Sequence, residues 1–394
     1  MLGEKIMKIS EDIIYIGAND KDIDLFESQY KVPNGISYNS YVIKDEKTVI
    51  MDTVDRRKTT EWLESLEKAL EGKVPDYLVV SHLEPDHAYN IELLVSKYPT
   101  MKIVGNNKTF AFMPQFFDIA DFEERKILVK EGDTLNLGKH CLQFFMAPMV
   151  HWPEVMVTYE KTEKVLFSAD AFGKFGCIDT EEGWKNEKDL DEARRYYINI
   201  VGKYGMQVQA ALKKLSTLDI NTICPLHGPI LKENLEYYIN KYNIWSSYIP
   251  EEDGILIAYA SIHGNTADAA NKLADILKKD GYNNICVKDL SRCDFSEAIS
   301  EAFKYSKLIL ASSTYNMGIF PPMANFLNRL KGLNYQNRKV AIIENGTWAP
   351  NSGKCMNEIL SEMKDIDLIQ PIITIKSKLN ENNLKELENL SKEL

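Results

Sequence analysis

The sequence contains no Cys-x-x-C pair. Its six cysteines, at 141, 177, 224, 286, 293 and 355, are scattered. That spacing excludes a zinc ribbon or a fused rubredoxin-type site, and it points to a reducing compartment with free thiols. Positive charge is short as well: 47 Lys and Arg face 58 Asp and Glu, for a formal charge of −11. The chain therefore lacks the basic surface that non-specific nucleic-acid binding requires. No apolar run reaches membrane-spanning length, and the polar stretch Met1 to Lys8 has no apolar signal-peptide core. A soluble, cytoplasmic protein is expected. Neither a G-x-G-x-x-G fingerprint nor a Walker lysine loop is present, which counts against a dinucleotide or a nucleoside triphosphate as ligand. At 394 residues the chain is too long for one core. Two domains are expected, 1–250 and 251–394, meeting at the polar break Pro250-Glu251-Glu252-Asp253-Gly254.

What the sequence does have is concentrated at Ser81-His82-Leu83-Glu84-Pro85-Asp86-His87, directly after the apolar run Tyr77-Leu78-Val79-Val80. A strand, a tight loop and a helix start place His82, Glu84, Asp86 and His87 in one short turn. That is the ligand density a metal site needs. Three more ligand-type residues follow apolar runs: His151 after Phe144 to Pro148, Asp170 after Val165 to Ala169, and His227 after Thr222 to Leu226. Strand ends deliver side chains to a rim. Singly, each has an ordinary reading as a capping carboxylate or a core histidine. Four of the six histidines at such positions favour a metal centre, and His140 falls outside the pattern.

In the first 250 residues, hairpins (Asn39 to Ile43 with Thr48 to Asp52) mix with helices (Thr60 to Leu70) and strands (Lys102 to Gly105). Two sheets layered between helices are expected. After residue 250 the alternation is regular. Strands at Ile255–Ala260, Asn284–Leu290, Lys307–Ser313, Lys339–Glu344 and Ile369–Ile375 precede five helices, the pattern of a doubly wound parallel sheet. Ligands of such sheets bind beyond the carboxyl ends of the strands. The first such end, Ser261-Ile262-His263-Gly264-Asn265-Thr266, runs into a helix N-terminus, which favours a phosphate. The others, Ser313-Thr314-Tyr315-Asn316-Met317-Gly318 and Asn345-Gly346-Thr347-Trp348, each carry an aromatic ring suited to sandwiching a flat ligand.

The motif His-x-Glu-x-Asp-His followed by His, Asp and His resembles the metallo-β-lactamase fold family. Glu84 stands where the usual zinc pattern has a histidine, and that departure is similar to the flavodiiron proteins. An additional carboxylate hardens the site and favours iron over zinc. The three later loops resemble those of flavodoxin. Over essentially the whole chain the order of domains resembles the class A flavodiiron proteins. The fold so implied is α/β, an N-terminal metallo-β-lactamase-like αββα sandwich plus a C-terminal flavodoxin-like sheet.

The resemblance implies two non-haem irons, one on His82, Glu84 and His151, the other on Asp86, His87 and His227, with Asp170 bridging. It implies FMN at the second domain, with His263 beside the phosphate or ribityl chain, and Trp152, Tyr196 and Tyr197 as wall residues over the irons. Two ferrous irons and a reduced flavin hold four electrons, enough to reduce O2 to two waters, while two electrons convert two NO to nitrous oxide. Oxygen reduction, as detoxification in an anaerobe, is the leading expectation, with nitric oxide reduction on the same site as the alternative. The donor would be a separate molecule: rubredoxin, a reduced deazaflavin or an NADH-linked reductase. A head-to-tail homodimer or homotetramer is implied. Readings from other classes are a zinc hydrolase with an appended flavodoxin domain, against which Glu84 counts, and a pure electron carrier, against which the filled ligand set counts.

Overall fold

The computed structural model describes residues 7–178, 184 and 186–394. Residues 1–6 of the polar N-terminal stretch lie outside them. The chain forms two compact units, one of Met1–Tyr197 and Met206–Asn243, the other of Ile198–Gly205 and Ile244–Leu394. No helix among the described residues is long and apolar enough to cross a membrane.

In the first unit two sheets face each other. One has the strand order Ile13–Tyr15, Tyr41–Ile43, Val49–Met51, Tyr77–Val79, Lys102–Gly105 and Lys126–Leu128. The other runs Thr134–Asn136, Cys141–Met146, Met156–Glu160, Val165–Phe167 and Thr222–Cys224. Alternate residues of these strands point into one shared core: Ile13, Tyr41, Val49, Met51, Val79 and Val104 from the first sheet, Leu142, Phe144, Met156, Phe167 and Cys224 from the second. The expected hairpin forms, with Tyr41 opposite Met51 and Ile43 opposite Val49. The helix Thr59–Leu70 lays Trp62, Leu66 and Leu70, one face at helical spacing, into the interior. Many strands here are only three residues long, and the loops that leave Tyr77–Val79, Val165–Phe167 and Thr222–Cys224 carry the ligand-type side chains. That is where the site forms.

The second unit is a parallel sheet in the order Ile285–Asp289, Glu252–Ala260, Tyr305–Tyr315, Arg338–Asn345 and Ile366–Leu368. In chain order this is 2-1-3-4-5, the flavodoxin-like arrangement. The helix Asn265–Lys279 packs Ala270, Leu273, Ala274 and Leu277 onto Ile257, Ile309 and Ile343. One element differs from the expectation. The single strand over Ile369–Ile375 is two short ones, Ile366–Leu368 and Ile373–Ile375, each pairing with Arg338–Asn345. Pro371 lies between them and has no N–H to offer a ladder, so the pairing breaks there.

Candidate functional site

The loop after Tyr77–Val79 is fixed from the backbone outward. Asp52, fully buried, accepts the Ser81 N–H at 2.7 Å. Pro85 opens a one-turn helix, Pro85–Ala88, whose first turn presents Asp86 and His87 inward. The Thr53 N–H and hydroxyl both donate to the His87 carbonyl, at 2.8 and 2.7 Å. His82, Asp86, His87, Asp170 and His227 are buried, while Glu84 and His151 keep a small exposed edge.

Two clusters result. In the first, Glu84 Oε2 lies 3.1 Å from His82 Nε2 and 3.0 Å from His151 Nε2. Asp170 Oδ2 lies 3.3 Å from each of the same two nitrogens. In the second, His87 Nε2 and His227 Nε2 are 2.9 Å apart, with Asp86 Oδ2 at 3.4 and 3.2 Å and Asp170 Oδ1 at 3.5 and 3.7 Å. The structure therefore brings all seven expected ligand residues together, and it divides the two oxygens of Asp170 between the two groups.

The oxygens of Asp86 and Asp170, although crowded by imidazoles, have no hydrogen-bond partner among the described residues. Buried polar atoms are ordinarily paired. Carboxylate and imidazole lone pairs that converge on common points are satisfied by cations, so these residues fit a pair of metal ions.

Two histidines are held in the tautomer a metal requires. His82 Nδ1–H donates to Glu154 Oε1 at 2.9 Å, and the Leu83 N–H donates to the same oxygen at 3.0 Å. His227 Nδ1–H donates to the Ser37 carbonyl at 2.7 Å. Each bond leaves Nε2 as the inward ligand atom. Sequence reading missed both anchors. Glu154, adjoining the His151-Trp152-Pro153 turn, was the more legible of the two; Ser37 acts through its carbonyl and carries no signal of side-chain type. Exchanging Glu154 for glutamine keeps an acceptor but removes its charge. We expect iron held about tenfold more weakly, measured by chelator competition.

Electrostatics agree with displaceable protons. Burial opposes a proton on His151, but the Asp170 and Glu84 carboxylates outweigh it and push the imidazole up to about 9. Burial likewise works against charge on Glu84, yet His151 and His82 hold it at about 2. Burial raises Asp86 to about 7. A metal ion must expel the protons on His151 and on part of Asp86. Since low pH favours the protonated, metal-free form, iron binding should tighten as pH rises from 6 to 9 and release protons to an indicator dye. A pH-independent affinity would contradict this.

Of the expected wall residues, Trp152 stands edge-on to the His82 ring with centroids 5.0 Å apart. The Tyr196 ring lies 5.5 Å from His227. Tyr197 packs against Tyr242 at 4.9 Å.

In the second unit the three strand-end loops enclose a cavity of about 560 Å³, within the range of cofactor sites. Its lining includes Ser261, His263, Asn265, Thr266, Ser313, Thr314, Tyr315, Asn316, Asn345, Gly346, Thr347 and Trp348, as expected. Gly264 and Gly318 shape the loops without lining the cavity. Gly264 opens the helix at φ +99, which a side chain disfavours, and Gly318 pairs back to Tyr315. Sequence reading missed Ile262, Met317, Ala349 and Ser377 in the wall. Ser377 arrives from the loop after the last strand, where its N–H donates to Asn345 Oδ1 at 3.0 Å. Trp348 is 90 % exposed, an indole with no packing of its own beside an open slot. Aromatic faces and neutral donors fit a flat, polar-edged ligand such as a flavin.

Fold and site together define a two-unit protein with a paired-metal centre in a lactamase-like sandwich and a flavin-type pocket in a flavodoxin-like sheet. Residues 36–228 match the ODP family beta lactamase and residues 257–368 match flavodoxin. The anaerobic nitric oxide reductase flavorubredoxin of Vibrio vulnificus is 30% identical over 379 residues, covering 94% of this chain and 75% of that one. Among solved structures, the rubredoxin oxygen:oxidoreductase of Desulfovibrio gigas superposes with a TM-score of 0.92 at 29% identity, covering 98% of this chain and 97% of that one. A flavo-diiron protein from Thermotoga maritima gives 0.89 at 26%, covering 99% and 97%. The chain belongs to the flavodiiron family.

Proposed function

We propose that this protein is an oxidoreductase that reduces O2 to water at a non-haem diiron site, fed through FMN. The observation that carries the reading is the division of Asp170, one oxygen toward His82, Glu84 and His151 and the other toward Asp86, His87 and His227. When bound, two irons and FMN supply the four electrons that O2 requires, or the two that convert two NO to nitrous oxide.

The chain's own residues do the rest. His82, Glu84 and His151 would hold one iron, Asp86, His87 and His227 the other, and Asp170 would fix their separation. Glu154 and the Ser37 carbonyl orient His82 and His227. The Trp152 and Tyr196 rings, against His82 and His227, would limit access of water to the irons. In the other unit the Ser261–Thr266 loop would take the FMN phosphate at the N-terminus of Asn265–Lys279. Tyr315 and Trp348 would cover the ring system, and the Asn345–Thr347 turn would meet its polar edge.

Nitric oxide reduction is the second reading, supported by the flavorubredoxin relatives. Rubredoxin is the donor that the named relatives suggest; a reduced deazaflavin or an NADH-linked reductase is the alternative. A cytoplasmic, head-to-tail homodimer or homotetramer completes the proposal. The test is anaerobic turnover of the iron- and FMN-loaded protein with reduced rubredoxin, offering O2 and NO separately. Faster O2 consumption supports the proposal, and faster nitrous oxide formation replaces it with the second reading. Sedimentation of the same preparation reads the oligomer.

A further inference from the structure

The Asp170 carboxylate serves two clusters only if its backbone turn, Ser168 to Gly173, keeps one shape. Two non-glycine residues in that turn, Ala169 (φ 51) and Phe172 (φ 67), occupy the left-handed region, which a Cβ disfavours. Some of the turn's bonds are its own or lie near the site: Ser168 Oγ donates to the Ala171 carbonyl at 2.7 Å, the Gly173 N–H to the Asp170 carbonyl at 3.1 Å, and the Leu226 N–H to the Ala169 carbonyl at 2.9 Å.

The Phe172 N–H goes elsewhere. It donates at 2.5 Å to the hydroxyl of Tyr242, on the remote helix Leu235–Ser246. The Tyr242 ring is fully buried and stacks on the Phe172 ring, with centroids 4.2 Å apart and planes inclined by 29°. On the other side the turn is closed against Tyr196: a Cβ at Gly173 would stand 2.8 Å from its ring.

We propose that Tyr242 is a positioning residue, whose hydroxyl and ring hold the turn in the form that splits Asp170 between the two metal clusters. Tyr242 is not one of the seven ligand residues. Its removal leaves every ligand chemically intact, and the effect is transmitted through the Phe172 N–H and the two left-handed residues. Tyr242→Phe retains the stacked ring but leaves a buried N–H without its acceptor, so the turn is free to relax.

This inference rests on the diiron reading, and the experiment separates the two. Full-length protein, reconstituted anaerobically with Fe(II) and FMN, is challenged with a chelator. The half-reduced form is examined by electron paramagnetic resonance, which reports the coupling between the irons. For Tyr242→Phe we expect iron loss about tenfold faster than wild type and an altered half-reduced spectrum, with FMN content and circular dichroism unchanged. Adding Ala169→Gly, which removes one left-handed penalty, should bring iron retention back toward wild type, as a purely structural defect would not. Wild-type iron retention and spectrum in Tyr242→Phe would overturn the inference alone, as would a double variant that recovers nothing. Wild-type protein that binds no iron would overturn the diiron reading and this inference with it.

Discussion

Asp170→Asn is expected to abolish O2 and NO turnover, by at least about 100-fold, while the chain still folds. The loss should exceed the roughly 10–100-fold that follows removal of an outer partner, because this side chain faces both clusters. Asparagine preserves the volume and one carbonyl oxygen but presents an amide NH2 to the other cluster, where two imidazole nitrogens and one further carboxylate already converge. Iron analysis should then show less than two irons per chain, with FMN content unchanged. Wild-type turnover in this variant would dismiss the bridging role, and with it the reading of the first unit as the reducing centre.

The second large effect belongs to the flavin pocket. Trp348→Ala should leave the flavin-free protein as stable as wild type, since the indole is 90 % exposed and packs on nothing that its loss would uncover. FMN affinity should nevertheless fall by about 30–1,000-fold. Covering a large apolar side chain contributes roughly 1.5–3 kcal/mol, and a stacked aromatic pair about 0.5–1.5 kcal/mol more. Quenching of flavin fluorescence on titration into the flavin-free protein reads this directly. A lowered unfolding midpoint without ligand would mean that Trp348 supports the loop rather than the cofactor. Unchanged affinity would remove it from the flavin site.

The parts of this protein legible in sequence are those where local chemistry and local geometry coincide. His82, Glu84, Asp86 and His87 share one turn after an apolar strand, so their convergence needs no long-range knowledge. The doubly wound sheet reads almost element by element, because its three central strands are long and mostly buried and its strands are separated by helices with one apolar face. Where Pro371 interrupts the last strand, an apolar run alone overstated continuity. What could not be read is what the fold alone brings close. Glu154 reaches His82 from 72 positions away, Ser37 meets the His227 ring through its carbonyl, and Tyr242 looks like any core aromatic until its hydroxyl is seen at Phe172. The segment Ile198–Gly205, which groups with the second unit, has no compositional mark separating it from its neighbours. The short strands Ala18–Asp20 and Leu25–Phe26 are too brief to show a period.

The most direct test of the account is metal analysis of the protein purified and reconstituted without oxygen, joined to O2 uptake by the same sample. Two irons per chain, one FMN, and four reducing equivalents consumed for each O2 converted to water are predicted. Zinc retained in preference to iron, with hydrolytic activity and no O2 uptake, would contradict it.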